Sequence, residues 1–415
     1  MNPYALGGRS PVRVEEPADA ERVAAVLAAA SDAGSAVVAF GGGTLQSLGN
    51  GPVRYDIALS LRKLARVRQY DPRELTIGVD AGMTLDALAR TLGEARQFIP
   101  FDAPHPRHAT VGGTLAAGWA GPRRATYGRL RDLLIGSTAA LTDGSLAAGG
   151  GMVVKNVTGY DMSKLYVGSL GTLGIIVRAN FKALPQPAAM RAAIAPLGDD
   201  VRERTLAALD DLVIEPTAAL VVDGFYDRTP RVRDEDARLL VIFEGSTAVI
   251  DRATRDLRSA LGKCGIADTL LFDGTAAADV LQDTIDAYVE TIDDRSITYR
   301  SVGLPSSVYD RAGAAAALGR DAGLRYDFIA DTRTGDAIVR FAGRSRQQIA
   351  DNLTAVDVQL RAALPELTVL AGDARLRAEV DAWGAVPATL DTHRAIKARF
   401  DPGAVLAPGR YVGGI

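Results

Sequence analysis

Apolar and polar positions run in two rhythms along the chain, and the first half repeats a short unit. Val12-Arg13-Val14 alternates like a strand, residues 19–30 carry Val23, Val26 and Leu27 at helical spacing, and residues 36–40 form a short apolar run. Gly34 stands where a helix C-cap belongs, so the order reads strand, helix, strand, and it ends in a glycine loop at residue 41. The logic then recurs. Residues 75–79 predict a strand, Thr84 an N-cap, and Leu85, Leu88, Ala89 and Leu92 the apolar face of a helix closing near Gly93.

Beyond Pro185-Gln186-Pro187 the glycines thin out and helix and strand patterns lengthen. Residues 218–222, 239–243, 297–302, 325–329 and 337–341 predict strands, and 309–318 and 392–400 predict helices. Ser246 is placed to cap a further helix with Val249, Ala253, Leu257 and Leu261 on one face. Such lengths suit a mostly antiparallel sheet with helices packed on one face. The expected class is therefore α+β, with one domain over residues 1–187, a second over 188–386, and a segment 387–415 that returns to the first.

Composition narrows the function without naming it. In 415 residues, 47 basic and 50 acidic side chains leave a net charge of −3 with no polybasic run, so no nucleic-acid partner is expected. No apolar run approaches the roughly 18 residues of a membrane span, and the first residues lack the order of a signal peptide. A cytoplasmic chain without direct membrane insertion is expected. The single cysteine, Cys264, excludes an internal disulfide. His105 and His108 lie in a proline-broken stretch rather than at helical spacing, so no metal site is expected.

Glycine carries most of the chemical information, because it lets main chain approach a ligand closely. Gly41-Gly42-Gly43-Thr44 follows a strand directly, where consecutive N–H groups can point at a phosphate or simply make a tight turn. The dinucleotide fingerprint fails there, since Gln46 occupies the third glycine position, and no nucleoside-triphosphate loop is present either. Residues 109–121 hold almost only small side chains, and Gly168-Ser169-Leu170-Gly171-Thr172-Leu173-Gly174 runs from a turn into a strand. Three such loops in one half of the chain fit a long ligand with two phosphates and flat rings.

In this order, Gly41-Gly42-Gly43-Thr44, Ala109-Thr110-Val111-Gly112-Gly113, Tyr127-Gly128-Arg129-Leu130-Arg131-Asp132 and Gly171-Thr172-Leu173-Gly174 resemble the FAD-binding domain of the vanillyl-alcohol oxidase and p-cresol methylhydroxylase superfamily. Within it, residues 154–165 and Gly168-Ser169-Leu170-Gly171 look most like the FAD-binding E-type subunits of bacterial glycolate oxidase. The catalytic D-type subunits usually have a glutamate where Leu170 stands. The resemblance implies a two-part FAD-binding domain and a cap domain. It places the pyrophosphate against Gly41, Gly42, Gly43 and Thr44, with Leu45 and Gln46 continuing that loop. The flavin and ribityl chain would meet Thr110, Val111, Gly112, Gly113 and Ala117, with Gly121, Tyr127 and Gly128 beyond them. Gly171, Thr172, Gly174 and Ile176 would meet the adenosine side, and Arg410 closes the set from the tail. Ala407 stands where asparagine is common before Pro-Gly. The FAD is expected to be non-covalent, because Thr44-Leu45-Gln46 replaces the histidine of covalently linked relatives.

Oxidising a 2-hydroxy acid needs a base for the hydroxyl and a cation or metal for the carboxylate. Between residues 190 and 385 the chain has no histidine. Arg300, Arg325 and Arg340 are candidates for a carboxylate, and Tyr226, Tyr288, Tyr299, Tyr309 and Tyr326 for proton transfer. In the flavin half, Lys155, Tyr160 and Lys164 are catalytic candidates that a packed structural role would explain equally well. Two expectations follow from the resemblance. The first is an FAD-carrying subunit that assists or relays electrons while a paired catalytic flavoprotein oxidises a small hydroxy acid and an iron–sulfur subunit accepts electrons. The second is a self-sufficient FAD-dependent dehydrogenase or oxidase of a hydroxy acid, alcohol or sugar. A structural partner that has kept the fold and lost activity is a third reading.

Overall fold

A computed structural model of the chain describes residues 2–152, 160–225, 237–364 and 366–415. The described chain forms two compact units. One comprises Met1–Ala120, Gly128–Gln186 and Val369–Ile415; the other comprises Gly121–Tyr127 and Pro187–Thr368.

In the first unit, Asp19 caps the helix Ala20–Asp32 by accepting from the Arg22 N–H, and Gly34 follows the helix at φ +63°. Ala20, Val23, Ala24, Leu27 and Ala30 form its buried stripe. The strands Arg13–Glu15, Ile57–Ser60 and Val37–Phe40 make a parallel sheet with Ile57–Ser60 in the middle. A second sheet has five strands in the spatial order Val67–Asp71, Thr76–Asp80, Ile175–Lys182, Leu134–Ala140, Leu146–Gly150, all antiparallel. Val23, Leu27, Ile57, Leu59, Ile175, Val177 and Leu406 share one buried cluster that locks helix, both sheets and tail together. Each such side chain contributes about 1.5–3 kcal/mol when fully buried. This packing sets the end of Val37–Phe40 and the start of Ile175–Lys182 close together, and with them two of the glycine loops.

The tail is held by backbone pairing. Val37 donates to the Val405 carbonyl and Ala407 donates to the Val37 carbonyl, which carries Pro408-Gly409-Arg410 to the first glycine loop. The chain rejoins this unit at Val369, ahead of the boundary at 387 suggested by sequence. The reason is local: Ser47 donates to the Leu370 carbonyl and the Ala382 N–H to the Asn50 side chain, so residues 369–386 are tied to the turn at 47–50.

The second unit is built on seven strands of one sheet in the order Leu270–Asp273, Ala189–Leu197, Ala237–Gly245, Ala218–Asp223, Arg325–Asp331, Asp336–Ala342, Ser296–Val302. These seven strands pair antiparallel. Ser246 caps the helix Thr247–Lys263, as its position implies. The buried face differs by one step. Ile250, Ala253, Thr254, Leu257 and Leu261 point inward while Val249 is exposed, because residue 250 rather than 249 falls on the angular sector of 253, 257 and 261. Three helices of this unit, Arg202–Asp210, Thr275–Asp286 and Arg346–Ala363, are not evident from the pattern of the sequence. Among the described residues no helix is long and apolar enough to cross a membrane.

Candidate functional site

One cleft of the first unit, about 670 Å³ including its solvent-open part, gathers the glycine loops that lie far apart in sequence. Gly41, Gly42, Gly43, Thr44, Leu45 and Gln46 form one wall; Thr110, Gly112, Gly113 and Ala117 form a second. Gly171 and Ile176 lie on a third side, with Arg410 from the tail. All of these are sequence-predicted positions. Ala39, Phe40, Leu61, Thr114, Ala116, Leu170 and Ile175 also line the cleft and were not predicted. Most carry apolar side chains inside regular elements, where nothing in the local pattern separates a cleft wall from a core face. Leu170 had a signal: it stands where related catalytic subunits carry glutamate, and it adopts φ +52°, an unusual angle for leucine.

The glycines have separable roles. A Cβ on Gly41 would sit 2.0 Å from the Thr110 hydroxyl oxygen, and one on Gly42 would sit 1.7 Å from the His108 carbonyl oxygen. The first loop is thus pressed against the Thr110 side chain at Gly41 and against backbone at Gly42, and side chains are excluded on that side. Gly43 takes φ +80° with open space around its Cβ direction. Thr110 caps the short helix Val111–Ala116, its hydroxyl accepting from the Gly113 N–H.

Several predicted positions are directed elsewhere. Val111 is buried and does not line the cleft. Thr172 turns into the protein: its hydroxyl donates to the Ser169 carbonyl, and its own carbonyl accepts from the buried Lys397 ammonium at 2.8 Å. A Cβ on Gly174 would meet Leu141 and Tyr166, which makes that glycine a packing requirement. Gly128 makes a turn at φ +81° against Asp132, and Gly121 and Tyr127 belong to the segment grouped with the second unit. Lys155 lies outside the described residues, as does Tyr226. Tyr160 is 93% exposed, and Lys164 pairs at 3.0 Å with Asp161 on its own helical turn. Neither lines the cleft. Ala407 is buried with φ +44° and its N–H bonded to Val37, so the position demands left-handed backbone. That demand accounts for asparagine, which tolerates such angles, without any cofactor contact.

The electrostatics of the cleft are one-sided. Among the described residues, the backbone N–H groups of Gly41, Gly42, Gly43, Thr44 and Leu45 have no acceptor within the protein. Consecutive unpaired donors of this kind form an anion-binding concavity. The Arg410 side chain is buried, and burial pushes its guanidinium down to about 10, with the neighbouring Arg377 adding to the effect; it remains a cation at neutral pH. Its Nε has no hydrogen-bond partner. Free donors, a buried cation and small-residue walls fit a diphosphate that joins two flat groups.

Residues 11–149 match the family described as FAD binding domain. The chain carries an FAD-binding domain. FAD is therefore its cofactor. In fold, the chain is similar to p-cresol methylhydroxylase, with a TM-score of 0.71 at 16% identity over 99% of this chain and 90% of that one. In sequence it is 41% identical over 132 residues to glycolate oxidase subunit GlcE of Escherichia coli strain K12, a match covering 32% of this chain and 38% of the relative. It is 27% identical over 252 residues to glycolate oxidase subunit GlcD of Bacillus subtilis strain 168, covering 58% of this chain and 53% of the relative. The chain thus spans less than two thirds of the length of either relative.

The second unit offers the candidate substrate-side residues a different fate. Arg300 pairs with Asp336, which Arg124 also holds in a two-pronged contact at 2.7 and 2.9 Å. Arg340 pairs at 2.7 Å with Asp327, both side chains almost fully buried, and Arg325 reaches the same carboxylate at 3.2 Å. Tyr299 bonds to Asp357, Tyr309 to Arg202 and Tyr326 to Arg320. Tyr288 is buried, and desolvation pushes its hydroxyl well above the usual tyrosine range. Cys264 is also buried here and free.

Proposed function

We propose that this chain is an FAD-dependent oxidoreductase subunit that works with a second, catalytic flavoprotein on small 2-hydroxy acids, in the manner of a glycolate oxidase complex with an iron–sulfur subunit as electron acceptor. One observation carries the subunit reading. Each of the three arginines that could hold a substrate carboxylate, Arg300, Arg325 and Arg340, is already engaged by an aspartate of its own sheet. A carboxylate entering there would have to displace a buried counter-ion, at a cost of several kcal/mol. The likeness to GlcE and GlcD supports the choice of complex.

When bound, FAD supplies a two-electron acceptor, and the protein's contribution is to hold it. The N–H run Gly41–Leu45 binds the anionic centre, Thr110 fixes the short helix beside it, and Leu170 presents an apolar side chain to the cleft where a carboxylate would attract protons and water. The isolated, FAD-loaded chain is expected to show no rapid loss of flavin absorbance near 450 nm on anaerobic mixing with glycolate or D-lactate. Reduction should appear when a partner flavoprotein co-purified from the host is added. Rapid bleaching by the chain alone would establish a self-sufficient dehydrogenase instead.

A further inference from the structure

The carbonyl side of the glycine loop is organised by three arginines from remote parts of the first unit. Arg62 donates from Nε to the Gly41 carbonyl at 3.0 Å and from Nη2 to the Gly42 carbonyl at 3.2 Å. Arg410 donates from Nη2 to the carbonyls of Gln46 and Leu48 at 2.9 and 2.6 Å. Arg377 donates to the carbonyls of Ser47 and Gly49, the latter at 2.7 Å. Six carbonyls between residues 41 and 49 are therefore held by three guanidinium groups. Across a trans peptide the N–H points opposite to the carbonyl, so gripping the Gly41 and Gly42 carbonyls turns the N–H groups of Gly42 and Gly43 the other way.

The charge balance is unusual. Among the described residues neither Arg377 nor Arg410 forms an ion pair with a carboxylate, while Arg62 lies within electrostatic reach of Glu16, which Lys63 holds at 3.2 Å. Burial disfavours the charge of both Arg377 and Arg410, and Arg377 adds to the effect on Arg410. Carbonyl hydrogen bonds orient a guanidinium but do not neutralise it. A buried cation left without an anion costs stability, and here two sit behind one loop with a third at its rim.

We infer that Arg62, Arg377 and Arg410 form a cationic back-clamp that makes the loop selective for a diphosphate-bearing flavin over an uncharged one. The inference rests on the reading of this cleft as the FAD site. The clamp acts in two ways: it fixes the loop with its N–H groups free, and it supplies positive potential that the two negative charges of a diphosphate offset. Riboflavin shares the ring and ribityl chain but has no phosphate, so it gains from neither.

The test compares FAD and riboflavin binding to the full chain stripped of flavin, by fluorescence quenching, in wild type, Arg410→Met and Arg377→Met. FAD affinity should fall at least tenfold in each variant, while riboflavin affinity changes less than threefold. Arg62→Met, at an exposed position, provides a variant that does not disturb the interior; its FAD affinity should fall about threefold, with riboflavin again unchanged. Equal weakening of both ligands would reduce the arginines to structural braces and overturn the inference, as would unchanged FAD binding in folded variants. A wild-type chain that binds neither flavin would overturn the reading of the cleft itself, and the two failures are therefore distinct.

Discussion

The glycine loop of the first unit and the sheet of the second handle buried charge in opposite ways. In the first, the run from Gly41 to Leu45 leaves a row of N–H donors without acceptors, and the loop is backed by Arg377 and Arg410, which form no ion pair with a carboxylate. In the second, Asp327 is shared by Arg325 and Arg340, and Asp336 by Arg124 and Arg300, so cation and anion close on each other inside the sheet. Unsatisfied polar groups cost free energy unless something outside the protein completes them. The loop thus has donors free to meet an anion, while the sheet's paired charges serve its own architecture. A flavin-carrying subunit that leaves substrate recognition to a partner would have this division.

The comparison breaks most visibly if the second unit's pairs are opened. Arg340→Met leaves Asp327 buried with only the more exposed Arg325, and stability should fall by about 3 kcal/mol, the lower end of what removing one partner of a buried pair costs. Denaturant unfolding should report that loss while the FAD affinity of the folded variant stays at the wild-type value. A parallel loss of FAD affinity would mean that the pair also serves the cofactor.

Opening the first unit should have the converse effect. In Gly42→Asp the Cβ collides with the His108 carbonyl, which forces the loop away from residues 108–113, and a carboxylate is added beside a site suited to anions. FAD affinity should drop by at least about 2 kcal/mol, read as the flavin-to-protein ratio after purification. Full occupancy in a folded variant would reduce the loop to a simple turn.

A smaller effect sharpens the contrast through pH. Burial raises the Asp331 carboxyl from 3.8 to about 6, against hydrogen bonds from the N–H groups of Arg333 and Thr334 that favour its ionised form. Because the folded chain holds this proton more tightly than the unfolded one, its contribution to stability is present below about pH 4. It is lost as pH rises through about 6. Asp331→Asn keeps an acceptor for both N–H groups and cannot ionise. It should be more stable than wild type at pH 7, with the difference vanishing near pH 4. A stability difference that does not vary with pH would mean that Asp331 does not titrate in this range.

What the sequence determined by itself is local. Thr84 and Ser246 mark helix starts because each side chain bonds to backbone within its own turn. Glycine at 43 and 171 is legible because φ is fixed by neighbours one bond away. The strand Ile57–Ser60 escaped because it is short and buried at every position, so no alternation signals it. The face of Thr247–Lys263 was legible at Ala253, Leu257 and Leu261, and only Val249 was assigned to it wrongly, since residue 250 is the one on their angular sector. Only the tertiary structure decided which glycines answer to a ligand and which to packing, as for Gly174 against Tyr166. It alone also brought Arg377 to Ser47 across 330 positions and matched Arg340 to Asp327. The physical reason is one of range: dihedral preference and capping act within a turn of chain, whereas the balance of buried charge depends on which distant segments the core draws together.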